Sequence, residues 1–271
     1  MANTEYGSFL QWALPRLGLR WAGYRRVRGQ VEKRVRRRIA ELQLPNPAAY
    51  RTWLEADANE WNVLRGLAVV TISRFYRDRG VWDQLGEEVL SLAARQAVAA
   101  GDDELRCWSI GCASGEEPYT LSILWILTLA ARYPGLRLRI LATDVDQHVL
   151  ARAQNAEYSA ATLRDLPAGW RDQAFDRRGG VFQVRARFRA PVELRRQDIR
   201  LVLPEDTFRV IFCRNLVCTY FEEPLEQQTL HRILSRLELG GFFVLGRHEG
   251  LPCGIQVEPW KPARGVYRRN S

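Results

Sequence analysis

The chain has 271 residues, of which 46% are hydrophobic and 26% charged, a composition typical of a globular protein with one or two domains. No run of about 18 apolar residues occurs, and the first residues lack the basic and apolar regions of a signal peptide, which argues against membrane insertion and secretion. Five cysteines without a Cys-x-x-Cys pair, and only three histidines, favour a reducing cytoplasm and predict no metal site.

The net charge of +9 is concentrated at the start of the chain. Residues 1–51 contain 11 Lys and Arg against 3 Asp and Glu, whereas the rest of the chain is nearly neutral. Residues 25–42 place valine, isoleucine and leucine at spacings of three and four, which predicts an amphipathic helix with a basic face. Such a face suits an acidic protein partner, although a solvated arginine-rich helix without a partner stays open.

Residues 1–95 are predicted to be helical throughout and to form an N-terminal domain with a linker helix. From residue 96 onward, strands alternate with helices at the spacing of βαβ units, which indicates a parallel sheet. The predicted strands are 106–111, 136–143, 208–213 and 242–245, with a last strand near Tyr267. The predicted helices are 119–132, 147–155 and 225–239, and Gly240–Gly241 is predicted to be a turn. Alternating apolar and polar residues within 175–198 predict a small antiparallel β-insertion.

Three segments are expected to meet at the carboxyl edge of the sheet. They are the glycine turn at residues 109–118 (SIGCASGEEP), Asp144 at the end of the next strand, and residues 213–216 after the third strand. Asp144 is placed to accept both ribose hydroxyls of a cofactor, with a helix N-cap as the alternative. Glu116 and Glu117 stand where a dinucleotide fold would hold phosphate, which favours a cationic cofactor without phosphate, S-adenosyl-L-methionine.

Several motifs, in one order, together resemble the CheR-type methyltransferases that act on chemotaxis receptors. They are WAGY (21–24), SRFYRD (73–78), SIGCASGEEPY (109–119), ATDVD (142–146), FCRN (212–215) and YF (220–221). The resemblance implies a Rossmann-like S-adenosylmethionine-dependent methyltransferase domain with an N-terminal all-helical domain and a small antiparallel β-insertion. Residues 246–249 (GRHE) depart from the family's Gly-His-Ser-Glu pattern, which leaves the methyl acceptor open.

The resemblance also implies residue roles, with S-adenosyl-L-homocysteine as the product of the cofactor. Arg77 and Tyr220 are expected nearest the transferring methyl group. The residues expected to bind the cofactor are Ser73, Arg77, Gly111, Ala113, Glu116, Asp144, Asp198, Ile199, Asn215 and Leu216. Two alternatives stay open, namely that Arg77 and Asp78 form an exposed ion pair and that Tyr220 is a core aromatic.

The expected acceptor is a glutamate carboxylate of an acidic protein, such as the cytoplasmic helix bundle of a chemoreceptor. The resemblance implies that the β-insertion can serve as a docking site for a receptor tail. A carboxylate is ionised at neutral pH and needs no general base, and the sequence offers no catalytic triad. The alternatives are a small-molecule or peptide acceptor, a nucleic-acid methyltransferase and a non-enzymatic sensor. We expect a cytoplasmic protein that is a monomer. We also expect no stable binding of nucleic acid, because residues 214–217 (RNLV) differ from the Asn/Asp-Pro-Pro-Tyr motif of amino-group nucleic-acid methylases.

Overall fold

The computed structural model describes residues 2–70, 73–260 and 263–270. Its contacts divide the chain into two compact units. The first comprises Met1–Val70 together with Val217–Glu226, and the second comprises Thr71–Leu216 together with Gln227–Ser271. The stretch Val217–Glu226 therefore belongs to the N-terminal unit, although the sequence on both of its sides belongs to the other one.

The described residues form thirteen α-helices. They are α1 (Ala2–Arg16), α2 (Trp21–Tyr24), α3 (Arg28–Glu41), α4 (Pro47–Ala56), α5 (Glu60–Leu67), α6 (Arg79–Gln84), α7 (Ser91–Ala100), α8 (Glu116–Leu124), α9 (Gln147–Asn155), α10 (Trp170–Ala174), α11 (Ala186–Arg189), α12 (Val217–Tyr220) and α13 (Glu223–Leu234). A π-helical turn, Leu85–Leu90, joins α6 to α7, and a second one, Trp125–Leu129, continues α8.

Ten strands form two sheets in the described residues. They are β1 (Glu104–Ile110), β2 (Arg137–Asp144), β3 (Glu157–Ser159), β4 (Phe175–Arg178), β5 (Val181–Val184), β6 (Val192–Arg196), β7 (Phe208–Phe212), β8 (Leu237–Val244), β9 (Glu258–Pro259) and β10 (Val266–Arg268).

The seven-stranded sheet has the order β6-β2-β1-β7-β8-β10-β9. Its first five strands are parallel, and β10 is antiparallel to both β8 and β9. The chain winds outward from β1 in one direction and then returns to β7 on the other side of β1. The switch point of this doubly wound sheet, where α/β proteins bind ligands, therefore lies between the carboxyl ends of β1 and β7.

The N-terminal unit buries the predicted apolar stripe of the basic helix. Val31, Val35 and Ile39 of α3 are buried, which confirms the spacing argument. Two arginines on the same helix also face inward. Arg38 binds both carboxylate oxygens of Glu60, at 2.9 and 2.8 Å, and Arg34 donates to the backbone carbonyls of residues 67 and 69. Part of the predicted basic excess therefore holds this unit together.

The segment 217–226 is held by residues 18–24 of its own unit. The N–H of Arg20 donates to the carbonyl of Tyr220 at 2.8 Å, and its guanidinium contacts Phe221 and Glu226. Gly23 has no room for a side chain, because a Cβ atom there would lie 2.1 Å from the carbonyl oxygen of Thr219.

Residues 73–100 pack within the second unit. Trp82, Leu85 and Val89 join the core that covers one face of the large sheet, while Phe75 packs edge-on against Tyr158 at 4.7 Å. From the sequence, this stretch is predicted to belong, as far as residue 95, to the N-terminal domain. The linker helix therefore packs against the large sheet of the second unit. A domain boundary between residues 95 and 96 stays a prediction.

A small antiparallel sheet is present in the order β3-β5-β4, but its extent differs from the prediction. Within 175–198, only β4 and β5 belong to it, and β3 comes from further upstream. Residues 186–189 form a short helix with Phe188 buried, and β6 is a parallel edge strand of the large sheet. The residues of β6 before Arg196 are only half-buried, and apolar and polar residues alternate along the strand, so its sequence has the same period-two pattern as an exposed hairpin.

The predicted helix 225–239 is present but ends earlier than predicted, and the glycine turn predicted after it is wrong. Helix α13 ends at Leu234, and β8 already begins at Leu237, so Gly240 and Gly241 lie inside a strand. The register between β7 and β8 shifts at this point, and Gly240 has φ of +74°. The two glycines therefore permit a bulge, a use of glycine that the sequence does not distinguish from a turn.

Candidate active site

The carboxylate of Asp144 connects the ends of β1 and β2. Its two oxygens accept the backbone N–H groups of Ala113 and Asp146, each at 2.9 Å, and the residue is only 7% exposed. The cap of α9 is Asp146, whose side chain accepts the N–H of His148, so the helix-cap alternative for Asp144 is wrong. Burial raises the pKa of Asp144, and the two N–H groups oppose that shift.

The glycine turn approaches the neighbouring strands closely. Gly111 and Cys112 both donate to the carbonyl of Thr143, at 2.8 and 3.0 Å, and Gly111 has φ of +69°. A Cβ atom at Gly111 would lie 2.8 Å from Leu216, so this position needs glycine. The predicted meeting of the loops after β1, β2 and β7 is present within the second unit.

Glu116, the first residue of α8, is a buried carboxylate with an unsatisfied oxygen. It is 6% exposed, and its Oε2 has no hydrogen-bond partner among the described residues. Burial raises the pKa of Glu116 to about 7. Glu116 and Arg152 line a cavity of about 340 Å³, together with Ser114, Asn155, Glu157, Tyr158, Ser159 and Thr162. A buried carboxylate of this kind suits a cationic ligand group.

The loop after β6 carries Asp198 and Ile199. The carboxylate of Asp198 binds the guanidinium of Arg200 through both oxygens, at 2.8 and 2.6 Å, and Ile199 is 6% exposed. Arg232 of α13 holds this loop by donating to the carbonyls of Ile199, Arg200 and Leu201. The N–H of Gln197 donates to the backbone of Asp144, so this loop also adjoins the end of β2.

Glu249 is a candidate site residue for which the sequence predicts no role. One of its oxygens accepts the N–H groups of Asn215 and Gly246, at 2.6 and 2.7 Å, and so joins the ends of β7 and β8. Asn215 has φ of +56°, and a Cβ atom at Gly246 would lie 2.5 Å from its side-chain nitrogen. The quoted GRHE segment therefore retains the glycine and the glutamate that fix Asn215.

Arg77 lies in a strained turn. Its two neighbours, Tyr76 and Asp78, have φ of +54° and +63°. These values lie in the left-handed region, which residues other than glycine rarely adopt. Each such residue costs on the order of 1 kcal/mol, and strain of this kind concentrates at functional sites. The N–H of Tyr76 donates to the hydroxyl of Thr120 at 3.1 Å, which anchors the turn to α8. Ser73, four residues before Arg77, is half-buried.

Arg214 forms the other anchor of this turn. Its guanidinium donates to the carboxylate of Asp78 at 2.8 Å, to the carbonyl of Arg77 at 3.1 Å and to Glu117 at 3.2 Å. Asp78 is therefore a partner of Arg214, in an ion pair whose arginine side chain is 4% and whose aspartate side chain is 21% exposed. The alternative of an exposed pair between Arg77 and Asp78 stays a prediction. The sequence places Arg214 and Glu117 at the carboxyl edge of the sheet, but it predicts no contact between them.

Tyr220 belongs to the N-terminal unit, unlike the other candidate residues. It is half-buried at the end of α12, and its ring packs against Tyr24 with centroids 4.9 Å apart. Its backbone position is set by Arg20, as described above.

The second unit thus gathers carboxylates at the carboxyl edge of its sheet. Glu116, Glu117 and Asp144 each raise the pKa of the buried Cys112 thiol, after the larger effect of burial. A phosphate group would be repelled here, whereas an ammonium or sulfonium would be attracted. Among the described residues, no cluster of His, Cys, Asp and Glu is arranged for a metal ion, and no helix is long and apolar enough to span a membrane.

Comparison with known proteins identifies a family whose cofactor is positively charged, as the carboxylates of the site suggest. The family model "CheR methyltransferase, SAM binding domain" matches residues 71–261. The chain belongs to the CheR methyltransferase family. It is therefore an S-adenosyl-L-methionine-dependent methyltransferase, as the sequence motifs predict, and the fold prediction is confirmed.

Its relatives share moderate identity over most of this chain. A chemotaxis protein methyltransferase of Listeria monocytogenes is 30% identical over 86% of this chain and 85% of its own length. Chemotaxis protein methyltransferase 2 of Vibrio cholerae is 26% identical over 99% and 94%. An uncharacterised 104.1 kDa protein of Rhodobacter capsulatus is 30% identical over 85% of this chain, which spans only 24% of that protein.

Solved methyltransferase structures are also similar to the chain, at lower identity. One is CalS10, an amino pentose methyltransferase from Micromonospora echinaspora with bound S-adenosylmethionine. It is 20% identical, covers 68% of this chain and 58% of its own, and has a TM-score of 0.33.

Proposed function

We propose that this protein transfers a methyl group to a glutamate side chain of an acidic protein in the cytoplasm, with the helix bundle of a chemoreceptor as the model substrate. Two chemotaxis protein methyltransferases among its relatives support this assignment, since they match over most of their length. The cofactor supplies an electrophilic methyl group on a positively charged sulfur.

The observation that carries the proposal is the pair of buried carboxylates at the sheet edge. Glu116 offers an oxygen without a partner among the described residues, which fits the α-ammonium of the cofactor. Asp144 is fixed by two N–H groups and keeps acceptor capacity for ribose hydroxyls. Both features fit a cofactor that carries positive charge and a ribose but no phosphate.

The remaining cofactor contacts follow from the family positions. Gly111 and Ala113 bring the backbone near the cofactor, Asp198 and Ile199 lie beside the adenine, and Asn215 and Leu216 complete the cleft. Ser73 and Arg77 reach the cofactor from the segment before α6. These assignments are proposals, and the fixed geometry of the loops after β1, β2, β6 and β7 supports them.

The residues of the chain have an orienting role in the reaction. A glutamate carboxylate has an unperturbed pKa of about 4.3, so it is a nucleophile at neutral pH without a general base. Arg77 orients that carboxylate, and the rigid turn around it lowers the entropic cost of alignment. If arginines bound the acceptor carboxylate too tightly, they would stabilise its ground-state charge more than the transition state and slow methyl transfer. One arginine therefore fits this role better than two. That Tyr220 is the second residue near the methyl group stays a prediction from the family resemblance.

A small-molecule or peptide acceptor and a nucleic-acid acceptor are the competing functions. The arginine at position 247 and the histidine at 248 alter a segment that, by the family resemblance, is expected near the methyl acceptor. The basic N-terminal unit is the only argument for nucleic acid, and two of its arginines are used internally.

The product distinguishes these functions. The protein is incubated with tritiated S-adenosyl-L-methionine and a lysate or receptor fragment, and the labelled protein is then treated with alkali. A glutamyl methyl ester releases volatile tritiated methanol, whereas methyl-nitrogen and methyl-ether products stay in the non-volatile fraction. Alkali-stable label in a small molecule or in RNA would replace the proposed function with one of its rivals.

Arg77→Ala gives a second result in the same assay. If Arg77 orients the acceptor, turnover falls by far more than the affinity for S-adenosyl-L-homocysteine. Equal losses would make Arg77 a cofactor ligand only, and no loss of either would remove it from the site.

A further inference from the structure

Arg214 is a buried arginine whose side chain is only 4% exposed. It lies two residues beyond β7, at the switch point of the sheet. Its three hydrogen-bond acceptors belong to two different elements, the turn that contains Arg77 and the first turn of α8. The guanidinium also lies over the ring of Trp82, 5.5 Å from its centroid, which fixes its plane.

These contacts determine the backbone at Arg77. Arg214 holds the carbonyl of Arg77 and the side chain of Asp78, while Thr120 holds the N–H of Tyr76. The two left-handed residues on either side of Arg77 persist because these anchors fix them. The direction in which the Arg77 side chain leaves the backbone therefore depends on Arg214.

Glu117 is a largely buried carboxylate whose ionisation both Arg214 and Arg77 favour. Burial raises the pKa of Glu117, and Arg214, Ser109 and Arg77 all oppose that rise. Arg214 binds one oxygen of Glu117 at 3.2 Å, and the hydroxyl of Ser109 binds the other at 2.8 Å. Arg77 is near enough to feel the same carboxylate, and a buried charge that loses its partner attracts any other cation within reach.

We propose that Arg214 is a positioning residue for Arg77: it fixes the strained turn and occupies Glu117, so that the guanidinium of Arg77 remains directed at the methyl acceptor. This inference rests on the proposed role of Arg77. Without Arg214, Glu117 draws the Arg77 side chain toward α8 and away from the acceptor.

Four variants test this role. Arg214→Met removes the charge and keeps an unbranched apolar stem. Arg214→Met combined with Glu117→Gln also removes the carboxylate that would capture Arg77. Arg214→Lys keeps a positive charge but can donate to fewer acceptors. This variant tests the positioning role if Arg214→Met does not fold. Arg209→Met is the matched control, since Arg209 is a partly buried arginine of β7 that binds two carboxylates, Asp102 at 3.0 Å and Glu238 at 2.8 Å.

We expect Arg214→Met to lower kcat by roughly thirtyfold or more, while the affinity for S-adenosyl-L-homocysteine falls much less. The double variant should recover at least about tenfold in kcat, because the capturing charge is gone. Arg214→Lys should lie between the wild type and Arg214→Met. The control should lose stability but keep kcat. A double variant as inactive as Arg214→Met would overturn the capture of Arg77, and a fully active Arg214→Lys or Met variant would overturn the positioning role.

A readout without turnover separates this inference from the proposed function. The guanidinium N–H resonance of Arg77, assigned through Arg77→Lys, should shift in Arg214→Met and return in the double variant. A wild-type enzyme that makes alkali-stable methyl products would refute the glutamate ester and leave the Arg214 test intact. An unshifted Arg77 resonance would refute the positioning role, whatever the product is.

Discussion

The carboxylate of Asp144 accepts the backbone N–H of Ala113 at 2.9 Å, across the gap between two parallel strands. This bond makes the end of β2 part of the loop that follows β1. Any ligand held by Asp144 is thereby positioned relative to the glycine turn as well.

Asp144→Ala should weaken binding of S-adenosyl-L-homocysteine by about 2–3 kcal/mol, because charge-assisted hydrogen bonds to the ribose are lost. Titration calorimetry measures the change. Asp146→Ala is the control, because it removes the N-cap of α9. It should lower the free energy of unfolding by about 1 kcal/mol and leave the affinity for S-adenosyl-L-homocysteine nearly unchanged. Equal affinity in wild type and Asp144→Ala would end the ribose assignment.

The affinity for the homocysteine product should increase with pH. Burial raises the pKa of Glu116 to about 7, and only the ionised carboxylate pairs well with an ammonium group. We therefore expect the dissociation constant to fall as the pH rises from about 5.5 to 7 and then to level off. Glu116→Gln should bind more weakly at pH 7.5 and lose this dependence. A slope retained in the Gln variant would assign the titration to another group.

The same carboxyl makes the stability of the ligand-free protein depend on pH in the opposite direction. The folded pKa lies above the unfolded value of 4.5, so the stabilising contribution is full below 4.5 and is lost as the pH rises through about 7. The loss amounts to roughly 3 kcal/mol at most. Urea unfolding of wild type and Glu116→Gln at pH 5 and 7.5 measures it, and parallel pH profiles for the two proteins would contradict the assignment.

Gly23→Ala should displace the segment that carries Tyr220. A Cβ atom at this position would lie 2.1 Å from the carbonyl of Thr219, and overpacking of this kind costs about 1–3 kcal/mol. Methyl transfer should fall together with the melting temperature. Gly29→Ala on α3 is the matched control, since nothing lies within 4 Å of its added methyl group. If Gly23→Ala melts like Gly29→Ala, the close approach to Thr219 is absent in solution.

The exposed cations of α3 and the loop before it should steer an acidic substrate. Arg34 and Arg38 bind within their own unit, so the substitutions that test steering are Arg25→Glu, Arg26→Glu and Lys33→Glu, all at exposed positions. The triple variant should lower kcat/KM and its dependence on salt, while kcat and cofactor affinity stay unchanged. Arg38→Met should instead destabilise the unit. A kcat/KM indifferent to both salt and the triple change would mean that this surface has no part in substrate association.

The sequence predicts the residues whose position follows from local order along the chain. Gly111, Glu116 and Asp144 follow β1 and β2 directly, and the ends of adjacent parallel strands must converge. Glu249 and Arg214 act across the fold, so their partners could not be foreseen from spacing. The left-handed turn at Tyr76 and Asp78 is invisible to sequence reasoning, because neither residue type demands that conformation.

The membership of Val217–Glu226 in the N-terminal unit has a consequence for evolution and engineering. A chimera that exchanges residues 1–70 with those of a relative would separate Arg20 and Gly23 from the helix they fit. Functional recombination between family members therefore requires that both stretches come from one parent. Substitutions in the two stretches should consequently be inherited as pairs, and a graft that respects this rule should keep Tyr220 in place.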